Sequence, residues 1–344
     1  MHTHPDRDSM QNGIGPKTKG INMISNFIKV IIFTLIASTA WAWEPTKPVN
    51  VLIGFAPGSG NELSFRGVSS ILEKANPKVS FVVENRPGAN GVVAMNDFIS
   101  RPTDGHHIYI PSNQGIFVTS EFFQKNVVKY KLDDFEYVIG IAKSPLVVIA
   151  HSSSDVNTPS ELVNKLRTTT KPINIAAGSG AHKLAYDYMA DKIKLDKKLI
   201  TTVEYKGPAQ AGADVAGGHL EFGILPAAVA APLAQSGKVK VIGLTSERTI
   251  KGFENTPLMN KWVPGMNVYA GWGIILPKGT SSEVQKWYVD SFAKAIRSPE
   301  AQVFFENNYM FADERELTPD GFKRSMTDLR KLWVPVLEKL DSKN

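Results

Sequence analysis

The stretch VNVLIGFAPGSGNELSFRGVSSILEKA, residues 49–75, decides the fold. Val49, Val51, Leu52, Ile53 and Phe55 make a short, nearly continuous apolar run, which is what a parallel strand covered on both faces requires. Pro57 ends the ladder. Gly58 and Gly60 tolerate positive φ and carry no side chain, so the pattern predicts a tight turn whose N–H groups, from Ser59 to Glu62, face a ligand at a helix N-terminus. Leu63, Val68, Ile71, Leu72 and Ala75 then fall on one helical face, as expected of a helix packed on a sheet. The turn has no Gly-Lys-Ser/Thr ending and its glycines miss the dinucleotide spacing, which excludes both phosphate-loop fingerprints.

A strand-to-helix turn is a common device, so one such turn says little about a ligand. The chain makes a second. Ile173 to Ala177 reads as an apolar strand, and Gly178-Ser179-Gly180-Ala181-His182 turns into a helix carrying Leu184, Tyr188, Met189 and Ile193. Between the two units, residues 79–91 read as a strand running into a polar loop, residues 92–101 as a helix, and residues 106–115 as another strand and loop. Residues 135–153 are long enough for two strands, and Thr158-Pro159-Ser160-Glu161 is a helix start. Ligands of open α/β sheets sit beyond the carboxyl ends of strands, so two such turns can face each other across a cleft between two domains.

The N-terminus predicts export. Lys29 precedes an apolar segment (residues 30–37) and Ala40-Trp41-Ala42 is a small-x-small cleavage signature. That segment is shorter than the about 20 apolar residues of a permanent span. Met23 stands where such a leader ordinarily begins. The 39 Lys and Arg outnumber the 33 Asp and Glu for a net charge of +6, falling to +4 once residues 1–42 are removed. That balance is too mild and too scattered for nucleic acid. With no cysteine, disulfides, thiol chemistry and a lipoprotein anchor are all excluded.

Six pieces, EPTKPVNVLIGFAPGSGNE, VVENRPGANG, DGHHIYIPSN, YKGPAQAGADVAGGHLEFGI, PLAQSGKVKVIGLTSERT and GWGIILPKGTSSEV, occur in an order and spacing that resembles the substrate-binding proteins of the tripartite tricarboxylate transporter family, the Bug receptors, over essentially all of residues 44–340. The resemblance implies an α/β type II periplasmic-binding-protein fold. Two doubly wound lobes, residues 43–143 plus 268–344 and residues 144–267, would be joined by a two-crossing hinge around a ligand cleft. It implies a periplasmic receptor, expected to be monomeric and without cofactor or metal, that captures a small organic carboxylate and delivers it to permease subunits. A periplasmic sensor feeding a signalling system is the alternative reading. The ligand-contacting positions it suggests are Pro57, Gly58, Ser59, Gly60, Asn61, Ser112, Asn113, Gly178, Ser179, Gly180, Ala181, His182 and Trp272.

The chain departs from the family pattern where selectivity resides. Ser59, Asn61 and Glu62 replace the usual glycine, threonine and aspartate of the first turn, and Leu225-Pro226 stands where the family commonly has Asp-Asn. Losing those polar groups predicts a ligand that is less polar at its distal end. A secreted α/β hydrolase would need a nucleophile, base and orienting acid. His106 and His107 are adjacent in a strand and point to opposite faces, and His182 beside Ser179 lacks both a nucleophile elbow and an acid, so no catalytic residue is assigned. Arg66, Arg86, Lys183 and Lys206 could each pair with an anion, but Arg66 follows the first turn by more than one helical turn, and the segments around Arg86 and Lys206 recur throughout the resembling family, which favours turn architecture. Protein recovered from the periplasm is expected to begin at Trp43, by N-terminal sequencing; a retained apolar segment in the membrane fraction would refute the cleavage site.

Overall fold

The computed structural model describes residues 43–341 apart from 178–179, 197, 204 and 206–207, so the leader expected over residues 1–42 lies outside the described residues. Strands β1 (Val49–Ile53), β2 (Phe81–Asn85) and β3 (His107–Tyr109) are parallel, in the order β2-β1-β3. Strands β5 (Ile173–Ala177), β6 (Ile200–Val203) and β7 (Phe222–Pro226) repeat that order as β6-β5-β7, again all parallel. In both sets the first strand sends its helix outward to the second strand, and the chain then crosses back to place the third on the other side. Two antiparallel strands, β4 (Phe135–His151) and β9 (Tyr269–Pro277), stand between the sets, and β8 (Val239–Leu244) pairs with β4.

Residues 135–153, long enough for two strands, form one. β4 runs for 17 residues without interruption. Its residues Phe135 to Pro145 pair with β9, whereas Leu146 to His151 pair with β7 and β8. The return passage lies at Val268, whose N–H donates to the Thr245 carbonyl (2.9 Å) immediately before β9 begins. A strand buried on both faces along almost its whole length reads as an unbroken apolar run, which hides the point where its partners change.

The helix Gly60–Ala75 buries Phe65, Val68 and Leu72 against the first half of the sheet, a stripe at i, i+3 and i+7. Leu63 and Ile71, expected on that stripe, are half-buried beside it, and Ala75 is exposed. The N-terminal segment is held from its first described residue. Trp43 packs edge-on against His106 and Trp287 at ring distances of 5.6 and 5.5 Å, and the Thr46 N–H donates to His106 Nε2 at 3.2 Å. The C-terminal helix Pro319–Asp341 touches both halves. Arg330 donates to the Phe117 carbonyl (2.6 Å), and Trp333 packs on Tyr188 at 4.8 Å between ring centres.

A cation is carried into this interior. Lys143, on β4 just before its partners change, is 2 % exposed and forms ion pairs with Asp313 (2.8 Å) and Glu316 (2.7 Å). Its ammonium lies 4.7 Å from the centre of the Tyr269 ring, and its backbone N–H and carbonyl both bond the Phe311 backbone, at 2.8 and 2.9 Å. Burial works against the charge on Lys143, but Glu316, Tyr269 and Asp313 outweigh it and push its pKa up. The Arg315 guanidinium, with Lys143, holds the Asp313 carboxyl well below the usual carboxylate range despite burial.

Removing one partner of a buried pair leaves an uncompensated charge, so Lys143→Met is expected to destabilise the protein by about 3–5 kcal/mol in urea unfolding at neutral pH. The sign of the pH dependence follows from the two shifts. The raised Lys143 contributes fully below its unfolded value of about 10.4, and the lowered Asp313 contributes fully above its unfolded value of about 3.9. The difference between parent and variant should therefore be flat from about pH 5 to 10 and shrink as pH falls below about 4. A difference that is small at pH 7, or that grows in acid, would refute this account.

Candidate functional site

The turns after β1 and β3 leave the carboxyl edge of the same parallel pair in opposite directions, the helix after β1 leading to β2 on one side and the chain after β3 to β4 on the other. That divergence is the switch point at which open α/β sheets take ligands. The second half has its own switch point between β5 and β7, at the turns around Gly180 and Pro226.

In the first turn Pro57 and Gly58 are exposed, and Gly58 adopts φ +78°, a conformation that glycine takes without strain. Its N–H donates to Glu62 Oε2 at 3.2 Å, and the Ser59 N–H, which the sequence suggested would face a ligand, donates instead to the Ala56 carbonyl at 3.2 Å. The donors left at the helix start are therefore those of Gly60, Asn61 and Glu62. Ser59, at the N-cap position, makes no side-chain cap, and its buried Oγ has no hydrogen-bond partner among the described residues. Elsewhere Thr158, Ser281 and Ser298 do cap their helices.

Asn61 is 3 % exposed and spends its amide nitrogen on the Ile110 carbonyl (2.9 Å), tying the first turn to the end of β3. Glu62 brings an intrinsic negative charge to the first turn. Burial opposes its ionisation, but hydrogen bonds from Arg66 (2.6 Å), Gly58 and Asn85 (3.2 Å) hold its carboxyl below the usual range. Arg66 is thereby occupied, Arg86 pairs with Glu84 (2.6 Å) and Asp97 (3.0 Å), and Lys183 pairs with Asp187 (2.9 Å).

Trp272 joins the two turns of the first switch point. A side chain at residue 60 would place its Cβ 2.3 Å from the Trp272 ring, so Gly60 is the residue that lets the indole lie against the helix start. The same tryptophan, 7 % exposed, bridges the backbone of Ser112. Asn113 is fully buried next to it, over Gly271, where a Cβ would come within 2.9 Å of its amide nitrogen. Sequence reasoning passed over Gln114, whose amide donates to the Tyr269 carbonyl and accepts from the Gly271 N–H (3.3 Å), locking the turn onto the start of β9. The glycine before Trp272 was the available signal.

In the second half Gly180 is the N-cap of the helix Ala181–Lys192, with φ +63° and no side-chain cap. Ala181 is buried and His182 half-buried on its first turn, while Gly178 and Ser179, like Lys206, lie outside the described residues. The structure thus brings Gly58 to Asn61, Ser112, Asn113 and Trp272 together at one switch point, and places Gly180 to His182 at the other.

The profile of the tripartite tricarboxylate transporter family receptor (TctC) matches residues 66–339. Among solved structures, the chain is similar to the periplasmic binding protein BugD, with a TM-score of 0.75 and 23% identity over 86% of this chain and 98% of that one. It is similar to Rpa4515 of R. palustris, solved with adipate, at a TM-score of 0.76 and 22% identity over 86% and 97% of the two chains. It is also similar to MatC of Rhodopseudomonas palustris, solved with bound malate, at 0.74 and 19% over 86% and 100%. With that profile covering most of its length and the type II binding-protein fold in place, the chain belongs to the receptor family of the tripartite tricarboxylate transporters.

Proposed function

We propose that the protein is a periplasmic solute receptor which captures a small organic carboxylate between its two switch points and hands it to the permease subunits of a tripartite tricarboxylate-type transporter. The observation that carries this reading is the pair of helix starts, Gly60 and Ala181, each at a switch point and each without a side-chain cap. Uncapped first turns present N–H donors, and each helix dipole favours an anion by about 0.3–1 kcal/mol, up to ~2 kcal/mol when partly buried. Pro57 to Asn61, Ser112, Asn113 and Trp272 would form one wall, and Gly178 to His182 the other. The adipate of the Rpa4515 structure and the malate bound in MatC support an anionic ligand of this class.

Capture requires the halves to close. The lobe boundaries proposed are residues 43–143 with 268–344 and residues 144–267, and the change of β4 partners at Leu146 and the start of β9 at Tyr269 support hinges at those points. The described residues contain no group of His, Asp and Glu that could hold a metal ion, and none of their helices is long and apolar enough to cross a membrane.

Thermal unfolding with a panel of mono-, di- and tricarboxylates tests the reading. A carboxylate present at ~100 times its dissociation constant stabilises by about 2.7 kcal/mol, a readily measured rise in Tm. Gly180→Val, which forces a branched side chain into the left-handed region at the helix start, is expected to abolish that rise. Absence of any shift across the panel would refute a carboxylate receptor. Small-angle scattering is expected to show compaction on addition of a ligand that raises Tm; an unchanged radius of gyration with such a ligand would refute closure.

A further inference from the structure

Asn113 is fully buried, yet neither its Nδ2 nor its Oδ1 has a hydrogen-bond partner among the described residues. Buried amides in folded proteins are nearly always paired, and its neighbours obey the rule: Asn61 donates to Ile110 and Gln114 is engaged with Tyr269 and Gly271. Space has been kept for this group, because any residue larger than glycine at 271 would press on the amide nitrogen. Ser59 Oγ is in the same condition on the neighbouring turn. Two unpartnered polar groups thus stand on the turns after adjacent parallel strands, Ser59 next to the Gly60 that lies against the Trp272 ring and Asn113 over the Gly271 that precedes it.

The chemistry of the pair restricts what can satisfy it. A carboxylate accepts only, so it would satisfy Asn113 Nδ2 and the Ser59 hydroxyl but leave Asn113 Oδ1 without a donor. A neutral donor beside the carboxylate completes the set. Among the described residues a second negative charge is poorly served, since Arg66, Lys143 and Lys183 are each already paired with a carboxylate and Glu62 adds a negative charge to the first turn. The corresponding turn of the second half, after β7, offers buried Leu225 and Ala227 around Pro226.

Building on the carboxylate-receptor reading above, we infer that Asn113 is the specificity-determining residue for a hydroxylated monocarboxylate, a ligand with one charge, a neutral donor next to it and an apolar body. Calorimetric titration of the protein with phenylacetate, mandelate and phenylmalonate separates the three features on one ring. Mandelate is expected to bind about tenfold more tightly than phenylacetate, the worth of one well-placed hydrogen bond, and phenylmalonate more weakly than mandelate. Asn113→Ala removes Nδ2 together with Oδ1, so it is expected to weaken both ligands and to bring mandelate and phenylacetate within about twofold of each other. Equal affinity for mandelate and phenylacetate in the parent, a preference for phenylmalonate, or a mandelate advantage that survives in Asn113→Ala would each overturn the inference while leaving a carboxylate receptor standing. Failure of every carboxylate to bind would overturn both. The parent comparison needs no variant, so it decides the ligand side even if Asn113→Ala does not fold.

Discussion

The structure depends on β4 remaining one continuous strand while its partners change. Up to Pro145 it is laddered to β9, and from Leu146 it is laddered to β7 and β8, so both halves of the sheet share a single backbone. At that junction Lys143 places an ammonium in the interior, where Asp313, Glu316 and the Tyr269 ring neutralise it. Buried ion pairs are weak stabilisers compared with apolar packing of the same volume, but they punish any arrangement that separates them. The pair therefore holds the segment around Phe311 in one register against β4, beside the passage from one half to the other.

Around that junction the chain builds the same β-α-β-α-β topology twice, and each copy generates one switch point. The copies are not chemically alike. The first gathers Ser59, Asn113, Gln114 and an indole, whereas the turn after β7 in the second is built from Leu225, Pro226 and Ala227. One topology thus yields two switch points of different polarity. The helix starts provide the feature the two share, since both lack a side-chain cap.

Much of the fold was legible in the sequence because apolar runs and turn residues report local geometry directly. β5 was read at its observed bounds, the capping box at Thr158 marked its helix, and both glycine turns fall where helices begin. The site was legible only in part. Asn61 looked like a ligand donor, but the close approach of the end of β3 gives its amide nitrogen to Ile110. The Ser59 N–H was expected to face a ligand, but the turn closes it onto the Ala56 carbonyl. Phe65 was passed over for the buried stripe because Leu63 and Ile71 fit a helical period nearly as well, and only the packed sheet decides which face turns inward.

The sequence by itself determined the alternation of strands and helices, the two glycine turns that open helices and the family, because these follow from residue types at short range. Tertiary structure decided where β4 changes partners, which first-turn donors remain unspent, and that Gly60 and Gly271 are small for the sake of Trp272 and Asn113. Those outcomes depend on contacts between residues distant in the chain, and a run such as FEYVIGIAKSPLVVIAH is apolar throughout whichever neighbour each residue meets.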